Sequence, residues 1–176
     1  ILSGVLFLLF LLPFLPRAKA MPVAKVDPDN CNGCRRCFDD CPYAAVTMVP
    51  HPNRRMARQL AQVDADLCAS CGICVGSCPS STPFRSMAEL VTGIDLPHSP
   101  INQLRQKLKA DLESLASNQK IVVFGCDHGA NIDVLRGSGV ATFSLVCTGM
   151  LPPSFIEYAL RDGASGVLVT GCQNGG

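Results

Sequence analysis

The chain has 176 residues, of which 48% are hydrophobic, 16% charged and 6% aromatic. That length suits one or two small domains steadied by metals or neighbours. A formal net charge of +1 excludes the strong field that draws nucleic acid or an acidic substrate. Eleven cysteines, an odd number, argue against a plain disulfide framework.

Residues 1–16 (ILSGVLFLLFLLPFLP) are uncharged and almost wholly apolar. As a helix they span about 24 Å, against about 30 Å for a bilayer core. They read as the tail of a membrane helix that begins before Ile1, since no methionine leads the chain. Arg17, Lys19 and Lys25 follow, and positive charge beside a span marks the cytoplasmic side. A secretory signal cleaved around Ala18-Lys19-Ala20 is a rival reading, weakened by the missing charged leader. A buried or interfacial segment is a third. The expectation is a partial transmembrane or anchor segment over 1–20, on the cytoplasmic face of the cell membrane.

An internal repeat follows. Ala24, Val26, Asp27, Asp29, Cys31, Cys34, Cys37, Cys41 and Pro42 recur 37 residues later as Ala61, Val63, Asp64, Asp66, Cys68, Cys71, Cys74, Cys78 and Pro79. Each unit reads as a short extended piece, a cysteine loop and one helical turn. His51-Pro52-Asn53-Arg54-Arg55 is a polar, basic loop between them. Three thiolates spaced two residues apart wrap one tight loop around iron. The fourth, three residues on, is expected to start a helical turn pointing toward the other site. Gly33 and Gly72 let the backbone turn tightly, and Pro42 and Pro79 supply a fixed φ where loop becomes turn. Cluster cysteines must stay thiolates, which implies a reducing compartment.

Cys31-x2-Cys34-x2-Cys37-x3-Cys41-Pro42 and Cys68-x2-Cys71-x2-Cys74-x3-Cys78-Pro79 are the runs of two-cluster bacterial ferredoxins, and residues 24–80 resemble that family. In the two-cluster arrangement the fourth ligand is exchanged between runs. That assigns Cys31, Cys34, Cys37 and Cys78 to one 4Fe–4S cluster, and Cys68, Cys71, Cys74 and Cys41 to the other. Structural zinc is the competing reading of paired C-x2-C motifs, but zinc has no use for a third evenly spaced cysteine and a Cys-Pro in both halves. Ser80-Ser81-Thr82-Pro83 stands where the first half has Ala44-Ala45-Val46, so the second half is expected to lack its full return strand.

Residues 79–100, rich in Ser, Thr and Pro, read as a linker. Ser99 is the expected N-cap and Pro100 the first residue of a helix. Ile101, Leu104, Leu108, Leu112 and Leu115 line one face, with Lys107, Lys109 and Glu113 on others, ending near Asn118. Three apolar runs, Ile121–Gly125, Ala141–Val146 and Val167–Thr170, then alternate with expected helices at 129–137 and 153–162, which predicts a parallel sheet. The fold expected is α+β. It comprises a ferredoxin-like two-cluster module with pseudo-twofold repeat over 21–86, a linker and amphipathic helix over 87–118, and a small α/β parallel-sheet domain over 119–176.

Cys126, Cys147 and Cys172 each end one predicted strand (IVVFGC, ATFSLVC, VLVTGC). A parallel sheet would gather them on the edge where open α/β folds place their sites. Free cysteine is also a common small core residue, and three unrelated buried thiols are the bland alternative. Asp127 or His128 could complete such a site, as histidine replaces cysteine in Rieske centres, though a lone polar residue after a strand is more often simply solvated. His51 and His98 sit in Pro-rich loops and need no role. Gly137-Ser138-Gly139 precedes a strand, the wrong order for a dinucleotide loop.

Val122-Val123-Phe124-Gly125-Cys126, Cys147-Thr148-Gly149 and residues 163–172 (GASGVLVTGC) make 120–176 similar to the delta subunit of methyl-viologen-reducing hydrogenase, which joins hydrogenase to heterodisulfide reductase. That resemblance implies a 2Fe–2S cluster on cysteines at such places. The family continues Gly-Cys-x4-Cys, and here that cysteine is expected directly after Gly176. The three thiols present are one ligand short.

No nucleophile–base pair, paired acid–base carboxylates or phosphate loop is visible, so no catalytic residue is assigned. The sequence predicts an electron-transfer iron–sulfur subunit, or a fragment of one, in a membrane-associated oxidoreductase. It would link a membrane cytochrome to a hydrogenase or heterodisulfide-reductase-like partner. An iron–sulfur redox sensor and a zinc-stabilised interaction module are the alternatives.

Overall fold

The computed structural model describes residues 21–79 and 90–172. The expected membrane segment over 1–20, the stretch Ser80-Ser81-Thr82-Pro83 and the last four residues lie outside them. Among the described residues no helix is long and apolar enough to cross a membrane.

The first half is built from short strands around the two cysteine loops. β1 (Lys25–Val26) precedes the first loop, and the one-turn helix α1 (Arg36–Asp39) carries its third cysteine. β2 (Val46–Pro50) and β3 (Gln59–Val63) form an antiparallel hairpin in register from Val46↔Val63 to Pro50↔Gln59. Alternation places Val46 and Ala61 in the core while Thr47 and Gln62 face solvent, the pattern of a sheet buried on one side. At the hairpin's end His51 is 3% exposed. Its Nδ1 accepts the Asn53 N–H at 2.9 Å, so Nε2 carries the proton and donates to the Pro28 carbonyl at 3.0 Å. His51 therefore pins the hairpin to the first cysteine loop, contrary to the expectation that it needs no role. A lone loop histidine has no periodicity that would reveal this.

The helix α2 (Ile73–Gly76) ends the second loop. The expected linker does not run free. Leu90 and Leu96 are buried, and β4 (Ile94–Asp95) pairs antiparallel with β1, Val26 opposite Ile94. The second half has only this two-residue strand where the first half has the five residues of β2, short of a full return strand as expected, and it stands past residues 80–89. Two residues of strand are too short a signal to read between polar neighbours.

α3 (Ile101–Ser114) buries Ile101, Leu108 and Leu112, with Leu104 and Leu115 packed half-buried against the same core. That is the face expected. Its start is not capped by Ser99. Pro100 holds the cap position, and the Asp95 carboxylate accepts the Ile101 N–H, both oxygens at 3.2 Å. The helix also stops before Asn118, at Ser114, where Lys120 Nζ donates to the Leu112 carbonyl at 2.6 Å and supplies the end with a cation.

The last part is a three-stranded parallel sheet of β5 (Ile121–Cys126), β6 (Val140–Leu145) and β7 (Gly166–Thr170), in the order β6-β5-β7. Central β5 is buried from Val122 to Cys126, as expected of a strand covered on both faces. β6 and β7 are joined through α4 (Ser154–Arg161), close to the expected 153–162. The helix expected at 129–137 does not form. Asn131 Oδ1 takes the Asp133 N–H at 3.0 Å, and only a 3-10 turn forms, at Asp133–Leu135. Short polar side chains that bond their own backbone compete with helix, and Gly129 and Gly137 add entropy cost.

α3 and α4 pack through an Arg105–Asp162 ion pair and the Arg105 guanidinium 4.5 Å above the Tyr158 ring. One buried core runs through both parts, from Val46 and Val75 to Leu108, Phe124 and Phe155. The observed architecture is a mixed α and β chain, a ferredoxin-like part followed by a parallel-sheet part.

Candidate functional site

The two cysteine loops begin alike. Asp27 Oδ1 accepts the Asp29 N–H at 3.0 Å and its carbonyl accepts the Cys31 N–H at 2.9 Å. Asp64 does the same for Asp66 at 2.9 Å and Cys68 at 3.1 Å. These aspartate turns aim the first cysteine of each run inward. The left-handed positions then match. Gly33 and Arg35 have φ of 69° and 70°, and their counterparts Ser70 and Gly72 have 55° and 77°. Each loop needs two left-handed residues and places glycine at a different one of them, which explains why Gly33 precedes its second cysteine while Gly72 follows its own.

Arg35 and Gly72 are the residues from which α1 and α2 start. The third cysteines, Cys37 and Cys74, therefore sit inside the helical turns. The fourth, Cys41 and Cys78, come after them, followed by Pro42 and Pro79. The expectation that the fourth cysteine and its proline start the turn is corrected here: the left-handed residue starts it earlier.

The folding of the two halves together mixes their cysteines. One cavity is lined by Cys31, Cys34, Cys37 and Cys78, with Met48, Ala61 and Ile94. A second is lined by Cys41, Cys68, Cys71 and Cys74, with Ala24, Val46 and Ile73. Each takes three thiols from one run and the last from the other. None of the eight is joined in a disulfide. Among the described residues no three His, Cys, Asp or Glu side chains are set to hold a single metal ion; the thiols ring a space instead.

Burial pushes the Cys37 thiol up to about 11, assisted by neighbouring Cys34, Cys31 and Cys78. Burial pushes Cys74 up to about 12, with Cys71, Cys37, Cys68 and Cys41 adding to it. Cys71 is raised by burial and, further, by Cys147, Cys41 and Cys68. Such crowding of anions in an apolar seat is unfavourable unless cations are present to offset it. The donor set and its surroundings fit an iron–sulfur group.

The C-terminal cysteines gather at one end of the sheet. Cys126 is the last residue of β5 and is buried; Cys172, just past β7, is exposed and forms an isolated bridge with Gly129. Their sulfurs lie 3.2 Å apart. Cys147 caps a 3-10 turn, Thr148–Met150, its sulfur accepting the Gly149 N–H at 3.4 Å. Its turn packs on α2 of the second loop, where a Cβ on Gly149 would lie 2.9 Å from the Ile73 side chain, and the neighbouring Val146 carbonyl accepts from Cys126 Sγ at 3.6 Å, so Cys147 stands between the sheet edge and the second loop. The Asp127 carboxylate is engaged by the Ser144 hydroxyl, and His128 is exposed on the turn beyond β5. His98 is exposed before α3, and Gly137-Ser138-Gly139 leads into β6.

Several residues that build these sites were not legible as such. Asp95 caps α3, and Ser70, 2% exposed, donates to the Pro22 carbonyl at 3.1 Å and ties the second loop to the start of β1. The repeat that pairs Ser70 with Gly33 was the available signal.

Eight thiols around two cavities, with three more at a sheet edge, define a protein of the iron–sulfur class. The family comparison agrees: the model for the 4Fe-4S dicluster domain matches residues 30–82. The model for methyl-viologen-reducing hydrogenase, delta subunit, matches residues 121–176. The chain thus carries a 4Fe–4S dicluster domain followed by a delta-subunit domain, in the order read from the sequence. No solved structure matches it. This combination supports an electron-transfer iron–sulfur subunit that works with redox enzymes.

Proposed function

We propose that the chain relays electrons through two 4Fe–4S clusters, one held by Cys31, Cys34, Cys37 and Cys78 and the other by Cys41, Cys68, Cys71 and Cys74. A third centre, a 2Fe–2S cluster, would sit on Cys126, Cys147 and Cys172 with one more ligand. The carrying observation is the composition of the two cavities, each lined by three cysteines of one run and the fourth of the other. A 4Fe–4S cluster supplies a reversible one-electron couple, tuned by charge, hydrogen bonds to sulfur and exposure.

The chain's own residues perform the rest. Asp27 and Asp64 orient the first thiols, and the left-handed pairs close the loops. Cys37 and Cys74, protonated at neutral pH when iron-free, give up those protons as they bind, because iron ligation requires thiolates. Val46, Ile73 and Ile94 keep water away from the cavities. Ringed spaces favour a cluster over zinc, whose thiolates would close to about 3.8 Å from one another at a Zn–S distance of about 2.3 Å.

The partners in this reading are a hydrogenase or heterodisulfide-reductase-like subunit and a membrane cytochrome. The delta-subunit match supports the first. The uncharged residues 1–16 followed by Arg17 and Lys19 support an anchor on the cytoplasmic face of the membrane. In this reading the cluster module extends beyond residue 86 to take in β4, and α3 leads on to the delta-like part.

Anaerobic purification with iron and sulfide analysis tests this. Roughly eight irons and eight sulfides per chain are expected for two such clusters. Cys78→Ser should disturb the same redox couple as Cys34→Ser, and Cys41→Ser the same couple as Cys71→Ser. Colourless protein carrying zinc without sulfide would end the reading.

A further inference from the structure

The two cysteine loops share a backbone path but differ in exposure. The second is covered. Ser70 is buried and bonded to the Pro22 carbonyl. A Cβ on Gly72 would lie 2.8 Å from the Leu96 and Met150 side chains, and one on Gly76 would lie 2.3 Å from the Gly149 carbonyl oxygen. The first loop is open: Cys34, Arg35 and Phe38 are exposed, with the Arg35 guanidinium 5.1 Å above the Phe38 ring. What rests on it is the tip of the β2–β3 hairpin. A Cβ on Gly33 would lie 2.4 Å from the Gln59 carbonyl oxygen and 3.5 Å from the Ala57 Cβ, and His51 ties the tip to Pro28.

That tip carries Arg54, Arg55, Met56 and Arg58, all exposed. Residues 51–63 contain no acid, and neither do residues 30–38. Among the described residues, none of Arg35, Arg54, Arg55 and Arg58 has an ion-pair partner. The acids that follow the loop, Asp39 and Asp40, come at the end of α1, where Asp40 lines the cleft beside α4 with Arg36. Before the loop both Asp27 oxygens are engaged, by the Asp29 N–H and the Asn30 amide, which leaves Asp29 to set against four arginines.

We propose that this arginine face around Cys34 is the docking surface for an acidic redox protein, which exchanges electrons with the cluster of Cys31, Cys34, Cys37 and Cys78. The inference rests on the two-cluster reading above and names the partner's charge and the surface that meets it. Arg, Met and Phe are the residue types enriched where proteins meet. With a net charge of +1 on the whole chain, the attraction is local to this face, so it orients the partner on the exposed thiol. One electron passes, the cluster being oxidised as the partner is reduced or the reverse, and no bond or proton moves. An anionic lipid surface would meet the same arginines, but it takes no electron and gives the exposed Cys34 no use.

Stopped-flow oxidation of the reduced full chain, reconstituted anaerobically in neutral detergent, tests this with flavodoxin as an acidic acceptor and cytochrome c as a basic one. At low salt, Arg54→Glu/Arg55→Glu should slow the reaction with flavodoxin about tenfold or more and speed that with cytochrome c. The deficit should close near 1 M salt, where screening acts beyond about 3 Å. Singly, Arg55→Glu should show part of the loss, while Lys109→Glu, an equal change in net charge on exposed α3, should show none. Arg58→Glu replaces the double variant if that one does not fold, and cluster absorbance should be the same in all. Equal effects of Arg55→Glu and Lys109→Glu overturn the docking face while leaving both clusters in place. So do arginine variants that lose only cosedimentation with phosphatidylglycerol vesicles, which assigns the face to lipid. Absence of cluster absorbance in the unaltered chain overturns the two-cluster reading, and the docking face with it.

Discussion

The sulfurs of Cys126 and Cys172 lie 3.2 Å apart, one at the end of the central strand and the other just past an edge strand. A disulfide needs them only about 1.2 Å closer, at about 2.05 Å. Iron-free protein under mild oxidation is therefore expected to join Cys126 to Cys172 before any other pair. Peptide mapping by mass spectrometry reads this directly. A first bridge to Cys147 instead would show that the sheet edge is arranged differently.

The carboxylate of Asp95 anchors α3. Asp95→Ala should cost about 1 kcal/mol, as loss of an N-cap acceptor does, and Asp95→Asn clearly less. Burial raises the Asp95 pKa, against the lowering effect of its bonds to Leu96 and Ile101 N–H. A carboxyl raised in the folded state contributes most below its ordinary value of 3.8. That contribution is lost as pH rises through the folded pKa. Urea titrations of Asp95→Asn across that range should lack this decline; an unchanged profile would dismiss the effect.

Arg35 holds a φ of 70° without being glycine, at the position where the second loop has Gly72. Arg35→Gly should relieve about 1 kcal/mol of backbone strain, offset by about 0.5 kcal/mol for losing the guanidinium 5.1 Å above Phe38. The matched change Ser70→Gly should bring no gain, because it removes the hydroxyl that bonds Pro22. Anaerobic chemical denaturation compares the two. A larger gain from Ser70→Gly would contradict the equivalence of the loops.

The buried thiols predict a pH response of the iron-free chain. Cys37 and Cys74 stand at about 11 and about 12 against an ordinary 9.0, burial being the main cause. The folded state thus keeps protons that the unfolded state releases. Stability is whole below pH 9 and falls as pH climbs toward those values. Cys74→Ala should flatten the fall in alkaline unfolding curves. A chain that gains stability above pH 9 would reverse the assignment.

Much of this was readable because it repeats or alternates. The duplicated cysteine runs announce themselves by spacing, and Ile101, Leu108 and Leu112 by the helical period. The strands before Cys126, Cys147 and Cys172 show as β-branched runs. What escaped depends on partners distant in sequence. Asp95 displaced Ser99 as the cap because β4 brings its carboxylate to the helix start. His51 found Pro28 across 23 residues. The 129–137 stretch lost its helix to Asn131, whose amide offered a closer bond. The Gly76–Gly149 approach spans both parts of the chain and leaves no local pattern.

The placement of β4 has a consequence for biosynthesis. β1 has no strand partner until Ile94 and Asp95 arrive, so a nascent chain that has emerged only as far as Cys78 has every thiol of both loops but lacks the β1–β4 pair. At about 5–20 residues per second, the residues from Pro79 to Asp95 take about one to three seconds to add before that pair can form. Ile94 lines the cavity of Cys31, Cys34, Cys37 and Cys78 and not the other, so during synthesis the first cavity gains its last wall later than the second.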